Sequence, residues 1–183
     1  MFLNLMKIPL YITLFRILCI PLLVVFMLSS FQGHELAAFV VFVVAALSDI
    51  ADGVLARRTN QTSTIGALLD PIADKLLISS AFICLVGLGT VASWMVVIII
   101  GREIAVTGFR AIASSRSHHI ASSAYGRIKM WCESITIGLL ILGKDLLGDF
   151  FVIARIGLWI VLIVVLFSAV EYFVRYGRLV LSD

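Results

Sequence analysis

The chain carries no Asp, Glu, Lys or Arg between Lys75 and Arg102, and none between Arg16 and Glu35. Each stretch can cross a bilayer core, which takes roughly 20 helical residues. Nothing else in the sequence restricts the fold as strongly. The composition agrees: 62% of residues are hydrophobic and 14% charged, and the mean hydropathy is +1.15, well above that of a soluble domain. The expectation is an all-α integral membrane protein, one domain over residues 1–183, with six transmembrane helices near 9–30, 35–58, 67–87, 91–113, 123–143 and 151–175. The apolar stretch after Arg16 outlasts a signal peptide and has no small-x-small cleavage pattern, so it reads as the first span.

Charge asymmetry orients these spans. The connections near 29–34, 87–91 and 143–150 hold one lysine, whereas Arg57, Arg58, Arg110, Arg116, Arg127, Lys129, Arg175 and Arg178 gather at the opposite ends. The positive-inside rule puts both termini and the 57–66 and 111–127 connections in the cytoplasm. Cys19, Cys84 and Cys132 lie singly in apolar surroundings with no CxxC pair, and read as small membrane-buried hydrophobes. His118 and His119 are adjacent in a polar turn and carry no assigned chemistry. No nucleic-acid partner is expected.

Against this background the segment SDIADGVLARRTNQTSTIGALLDPIADK, which runs to Lys75, stands out. An ionisable residue in an apolar span needs a partner or a cation and is a functional candidate by default. Asp49 and Asp52 are spaced i, i+3 near the inner end of span two, and Asp70 and Asp74 are spaced i, i+4 near the start of span three. Each pair shares one helical face. The short connection makes the two helices antiparallel neighbours, so the four carboxylates converge near the cytoplasmic interface.

Four clustered carboxylates repel one another until some take up protons or divalent cations neutralise them. All-oxygen ligation without nearby Cys or His suits Mg2+ or Mn2+. Two such ions balance the four charges, the arrangement used to clamp attacking and leaving oxygens in phosphoryl transfer. Gly53, Ala56 and Gly66 let a bulky ligand approach the backbone, and Arg57 is placed to meet a phosphate with two parallel hydrogen bonds. Taken singly, the three small residues are ordinary helix-packing positions; in register with the aspartates they read as part of the site.

DIADGVLAR, eight further residues, and GALLDPIAD together resemble the DxxDGxxAR, eight residues, GxxxDxxxD signature of the CDP-alcohol phosphatidyltransferases, with every position present. The DPIADK extension, GREIAVTGFR at 101–110, YGRIKM at 125–130 and the N-terminal IPLYITLFR are similar to one branch, the bacterial phosphatidylglycerophosphate synthases. In the last of these Leu10 stands where the family usually has Asn, while Thr13 and Arg16 are kept.

The resemblance implies Asp49, Asp52, Asp70 and Asp74 as ligands of two divalent cations, Asp74 also as the base, and Gly53, Arg57, Ser63, Gly66 and Thr13, beside Ala56, at the CDP group. It implies CDP-diacylglycerol and sn-glycerol 3-phosphate as substrates, a homodimer, and a site on the cytoplasmic face of a bacterial inner membrane. A dianionic acceptor needs its own basic pocket, and Lys75, Arg102, Arg110 and Lys129 are the candidates. Their plain alternative is anchoring or snorkelling at the interface, or for Arg102 an intramembrane pair with a carboxylate such as Glu103. Pro71 either kinks span three or is a simple first-turn proline. Two rivals stand: the same transfer to serine, inositol phosphate or phosphatidylglycerol, and, more remotely, a divalent-cation transporter.

Overall fold

The computed structural model describes residues 8–59, 64–115 and 124–181; within these, the side chains of 8–10, 49–59, 64–68, 70, 110–115, 124–127, 172–173 and 175–181 lie outside the description. Among the described residues six α-helices follow one another: α1 (Ile8–Leu28), α2 (His34–Thr59), α3 (Thr64–Gly87), α4 (Ser93–Ser115), α5 (Ala124–Leu147) and α6 (Phe151–Leu181), with one 3-10 turn (Gly148–Phe150) before α6. The described residues contain no strand. In lipid every backbone N–H and C=O must be satisfied inside its own segment, which helices do and open strands do not. Two stretches, Tyr11–Leu28 and Ile128–Glu171, are long and apolar enough to cross a membrane among the described residues, and the second covers most of α5 and α6.

The helices lie close to the expected spans. The main differences are α3, which starts at Thr64 rather than 67, α5, which runs to Leu147 rather than 143, and α6, which runs to Leu181 rather than 175. A helix does not have to stop where its apolar stretch stops, so hydropathy misplaces such ends. The early start of α3 has a consequence. Pro71 is two turns inside the helix, so the first-turn account of it is wrong. A proline there removes one ladder N–H and leaves the carbonyl four residues back without its usual donor.

The turn between α3 and α4 shows how these helices end. Gly89 has φ +72°, its N–H bonds Val86 O at 2.9 Å, and the Thr90 N–H bonds Leu85 O at 3.0 Å. That pair of bonds, with a left-handed glycine just past the end, satisfies the last carbonyls.

Packing buries a set of alanines while leaving many large apolar residues on the outside. Ala38, Ala45, Ala73, Ala81 and Ala154 are fully buried, while Leu18, Val97, Phe167 and Val174 are each at least 69% exposed. Between helices in lipid there is little hydrophobic gain, so close approach of small residues and dispersion contacts hold the bundle. Leu23, Phe42, Phe82, Ile99, Ile137 and Val161 fill the interior. α1 packs extensively along both α2 and α3, whereas α2 and α3 touch each other lightly among the described residues; α5 lies against α2 and more fully against α6. Among the described residues, α1 is thus the neighbour that the two aspartate-bearing helices share.

α5 bends at Gly143, where φ is +66°. A Cβ there would stand 2.6 Å from Glu35 Oε1. Gly143→Ala thus meets both a disfavoured backbone region and a clash, and should lower stability by about 2 kcal/mol. Thermal unfolding in detergent measures this, and adding Glu35→Ala should recover only the steric part.

Candidate active site

α2 and α3 meet across residues 60–63, so the aspartate positions can be ranked by distance from that connection. At 1.5 Å rise per residue, Asp49 and Asp74 each lie about 15 Å along their helices from the connection, and Asp52 and Asp70 about 10 Å. The four positions form two levels, each with one residue from α2 and one from α3. They sit two to three turns inside the bundle rather than at the helix ends.

Of the four, Asp74 has a described side chain. Its Oδ1 accepts a hydrogen bond from Arg16 Nη1 at 2.5 Å, an ion pair linking α1 to α3. Arg16 is completely buried, while the Asp74 side chain keeps 31% of its surface open. Thr13, one turn earlier on α1, is also completely buried. The side chains of Asp49, Asp52, Gly53, Ala56, Arg57, Gly66, Asp70 and Arg110, and the whole of Ser63, lie outside the described residues.

The basic candidates separate into two groups. Lys75 is half-buried and reaches Pro71 O at 3.5 Å, the limit of a hydrogen bond. Arg102 and Lys129 belong to a polar chain deep in the bundle. Arg102 donates through Nη1 to Glu103 Oε1 at 2.6 Å and through Nη2 to Ser168 Oγ at 2.7 Å. The Ser168 hydroxyl in turn donates a hydrogen bond to Val165 O at 3.0 Å. Glu103 Oε1 also accepts from Lys129 Nζ, and Lys129 pairs with Glu133 Oε2 at 3.1 Å.

The chain Ser168, Arg102, Glu103, Lys129, Glu133 therefore joins α4, α5 and α6. Its formal charge is zero, two cations against two carboxylates. Lys129 and Glu133 are each 3% exposed, and Glu133 Oε1 has no hydrogen-bond partner among the described residues. In so dry a place each charge depends on its partner.

Sequence reasoning assigned no role to Arg16, Glu133 or Ser168. A signal existed for two of them. Arg16 is a lone cation in an apolar span, and Glu133 stands one helical turn from Lys129; both patterns call for a partner. Ser168 carried none, since a serine in an apolar helix usually bonds its own backbone.

The donor chemistry of the aspartate positions fits hard divalent cations: carboxylates only, with no described Cys or His beside Asp74. Among the described residues no three His, Cys, Asp or Glu side chains gather at one point; the side chains of Asp49, Asp52 and Asp70 are not among those described.

A helical bundle with an apolar exterior and two helices carrying paired aspartates two to three turns from their shared connection is the architecture of an integral membrane protein with a polar site inside it. Comparison with known proteins identifies which one. The family model "CDP-alcohol phosphatidyltransferase" matches residues 6–170, and the chain belongs to that family. It is 36% identical over 182 residues to the CDP-diacylglycerol--glycerol-3-phosphate 3-phosphatidyltransferase of Bacillus subtilis, covering 91% of this chain and 93% of that one. It is 37% identical over 173 residues to a probable phosphatidylglycerophosphate synthase of Mycobacterium tuberculosis, at 91% and 80% coverage. It is 30% identical over 170 residues to the CDP-diacylglycerol--glycerol-3-phosphate 3-phosphatidyltransferase of Rickettsia felis, at 91% and 93%. Family membership brings divalent-metal-dependent chemistry with it in general terms.

Proposed function

We propose that this protein transfers the phosphatidyl group of CDP-diacylglycerol to sn-glycerol 3-phosphate, giving phosphatidylglycerol phosphate and CMP. The observation that carries the reading is the complete aspartate signature, 49–74, in a chain that matches relatives bearing that activity in their names over more than nine-tenths of its length.

Asp49, Asp52, Asp70 and Asp74 would hold two Mg2+ or Mn2+ ions, which supply charge neutralisation at the diphosphate and acidify the attacking hydroxyl. Arg57, Ser63, Thr13 and the close backbone at Gly53, Ala56 and Gly66 bind the CDP group. The 1-hydroxyl oxygen of glycerol 3-phosphate forms a bond to the β-phosphorus, which bears the diacylglycerol. The bond from that phosphorus to the CMP oxygen breaks, and CMP leaves with the electron pair. Asp74 takes the hydroxyl proton. The acyl chains stay in the inner leaflet while the head group lies over the cytoplasmic end of the bundle. This reading includes six spans with both termini in the cytoplasm of a bacterial cell, and a homodimer. Gly101 and Gly108 lie open on α4, where an added Cβ would meet nothing within 4 Å among the described residues, a surface on which a second copy can approach closely.

Arg102 and Lys129 are engaged with Glu103, so Lys75 and Arg110 are the cleaner probes of the acceptor pocket. Losing one charge-assisted hydrogen bond to the acceptor phosphate removes about 1.5–3 kcal/mol of binding. Arg110→Ala or Lys75→Ala should accordingly raise KM for glycerol 3-phosphate by about tenfold or more and change that for CDP-diacylglycerol far less. Equal effects on both substrates would count against an acceptor pocket there. The reaction itself is tested by incubating purified protein with radiolabelled CDP-diacylglycerol and, in turn, glycerol 3-phosphate, serine, inositol phosphate and phosphatidylglycerol. Labelled lipid product with any acceptor other than glycerol 3-phosphate alone overturns the assignment. Metal flux into proteoliposomes without CMP release would point to a transporter.

A further inference from the structure

We infer that Arg16 is a positioning residue for phosphatidyl transfer: its guanidinium, delivered by α1, holds the Asp74 carboxylate in the orientation the reaction uses. The inference rests on the reading of Asp74 as a metal ligand and proton acceptor.

Three observations support it. The pair is asymmetric in burial, since Arg16 is entirely enclosed and Asp74 keeps 31% of its side-chain surface open. The cation belongs to the bundle interior, and the carboxylate looks out from it. Secondly, the helix carrying Asp74 lacks a ladder bond nearby, because Pro71 lies three residues earlier and inside α3. A brace from another helix supplies a constraint that the backbone of α3 does not supply for itself. Thirdly, α1 packs along both α2 and α3, so one helix references the two that bear the aspartates. Thr13, Arg16, Cys19 and Leu23, at helical spacing on α1, are all buried; this is the face that seats the brace.

The chemistry favours orientation over charge alone. A guanidinium is a planar fork that donates along fixed directions, whereas an ammonium is a point charge on a flexible stem. Hydrogen-bond partners that hold metal-binding carboxylates change metal affinity or activity by about 10–100-fold when removed. A bare positive charge would act the other way on metal affinity, since a cation beside four carboxylates repels an incoming divalent ion.

Mn2+ binding and CMP release distinguish the two roles in the full-length protein in detergent. Arg16→Lys keeps the buried charge. It should melt within a few degrees of the wild type, bind Mn2+ about tenfold more weakly, and lower kcat by about 10–100-fold with little change in KM for glycerol 3-phosphate. Arg16→Gln should bind Mn2+ more weakly still, although it removes a repelling charge. Wild-type Mn2+ affinity and kcat in Arg16→Lys would overturn the inference. So would tighter Mn2+ binding in Arg16→Gln, or an Arg16→Lys protein whose lost activity matches its lost folded fraction, which describes a strut. Asp74→Asn is the control. If it binds Mn2+ as the wild type does, Asp74 is no ligand and both readings fall; if it is deficient while Arg16→Lys is normal, the inference about Arg16 falls alone.

Discussion

Asp74→Asn should abolish CMP release, with a loss of about 10³-fold or more, while the protein still elutes as a folded species in detergent. A positioned base contributes about 10²–10⁴-fold to a proton-transfer step, and the same carboxylate is read as a metal ligand, so the two losses fall on one residue. Folding should survive for a local reason. The Asn carbonyl can still accept the hydrogen bond that Arg16 now donates to Asp74 Oδ1. The measurement is CMP release at saturating concentrations of both substrates, alongside elution profile and helical circular dichroism. Near-normal activity would remove Asp74 from the base role.

The second large effect concerns stability rather than turnover. Lys129→Met takes away the cation that Glu133 and Glu103 share. Glu103 keeps Arg102, but Glu133, 3% exposed and already with one oxygen unpartnered among the described residues, loses the cation it is ion-paired with. Breaking a buried pair by removing one partner costs about 3–5 kcal/mol, because a charge is left without compensation. Lys129→Met should therefore unfold far more readily on heating in detergent. Adding Glu133→Leu removes the stranded carboxylate and should recover much of the loss, a strong non-additivity between neighbours. If the double variant is as unstable as the single one, the pair is not what holds α4, α5 and α6 together.

Both predictions depend on pairings that only the folded chain displays. The reason is geometric. Hydropathy and charge spacing report where a helix lies along the chain and which residues share its face. They do not report how far each helix is rotated about its axis in the bundle, and that rotation decides which side chains meet. Arg16 and Asp74 are 58 residues apart, with nothing in the intervening sequence to link them. Arg102 and Ser168 are 66 apart. The basic residues illustrate the cost of this gap. From the sequence, Lys129 reads as a cation awaiting a phosphate as readily as Arg110 does, and Arg102 reads equally as a partner of Glu103; in the fold both Arg102 and Lys129 pair with Glu103. The rejected first-turn account of Pro71 has a similar origin, since it depended on where α3 begins, and helix ends are the least legible part of a pattern.

Much was nevertheless legible in the residues themselves. Two charge-free stretches are enough to call for membrane helices, because a chain that cannot hydrate its backbone must satisfy it internally. The aspartate spacings, i, i+3 and i, i+4 across a short connection, already specify two shared faces, because helical periodicity is a local property. The fixed gaps of the signature likewise sit in the sequence alone, and they carried the family. Tertiary structure decided what local periodicity cannot express: that α1 packs along both aspartate-bearing helices, that Arg16 grips Asp74, and that two of the four basic candidates are committed to Glu103. Those are consequences of how the helices are rotated against one another and of the cost of leaving a buried charge without a partner, a condition on the bundle rather than on any one segment.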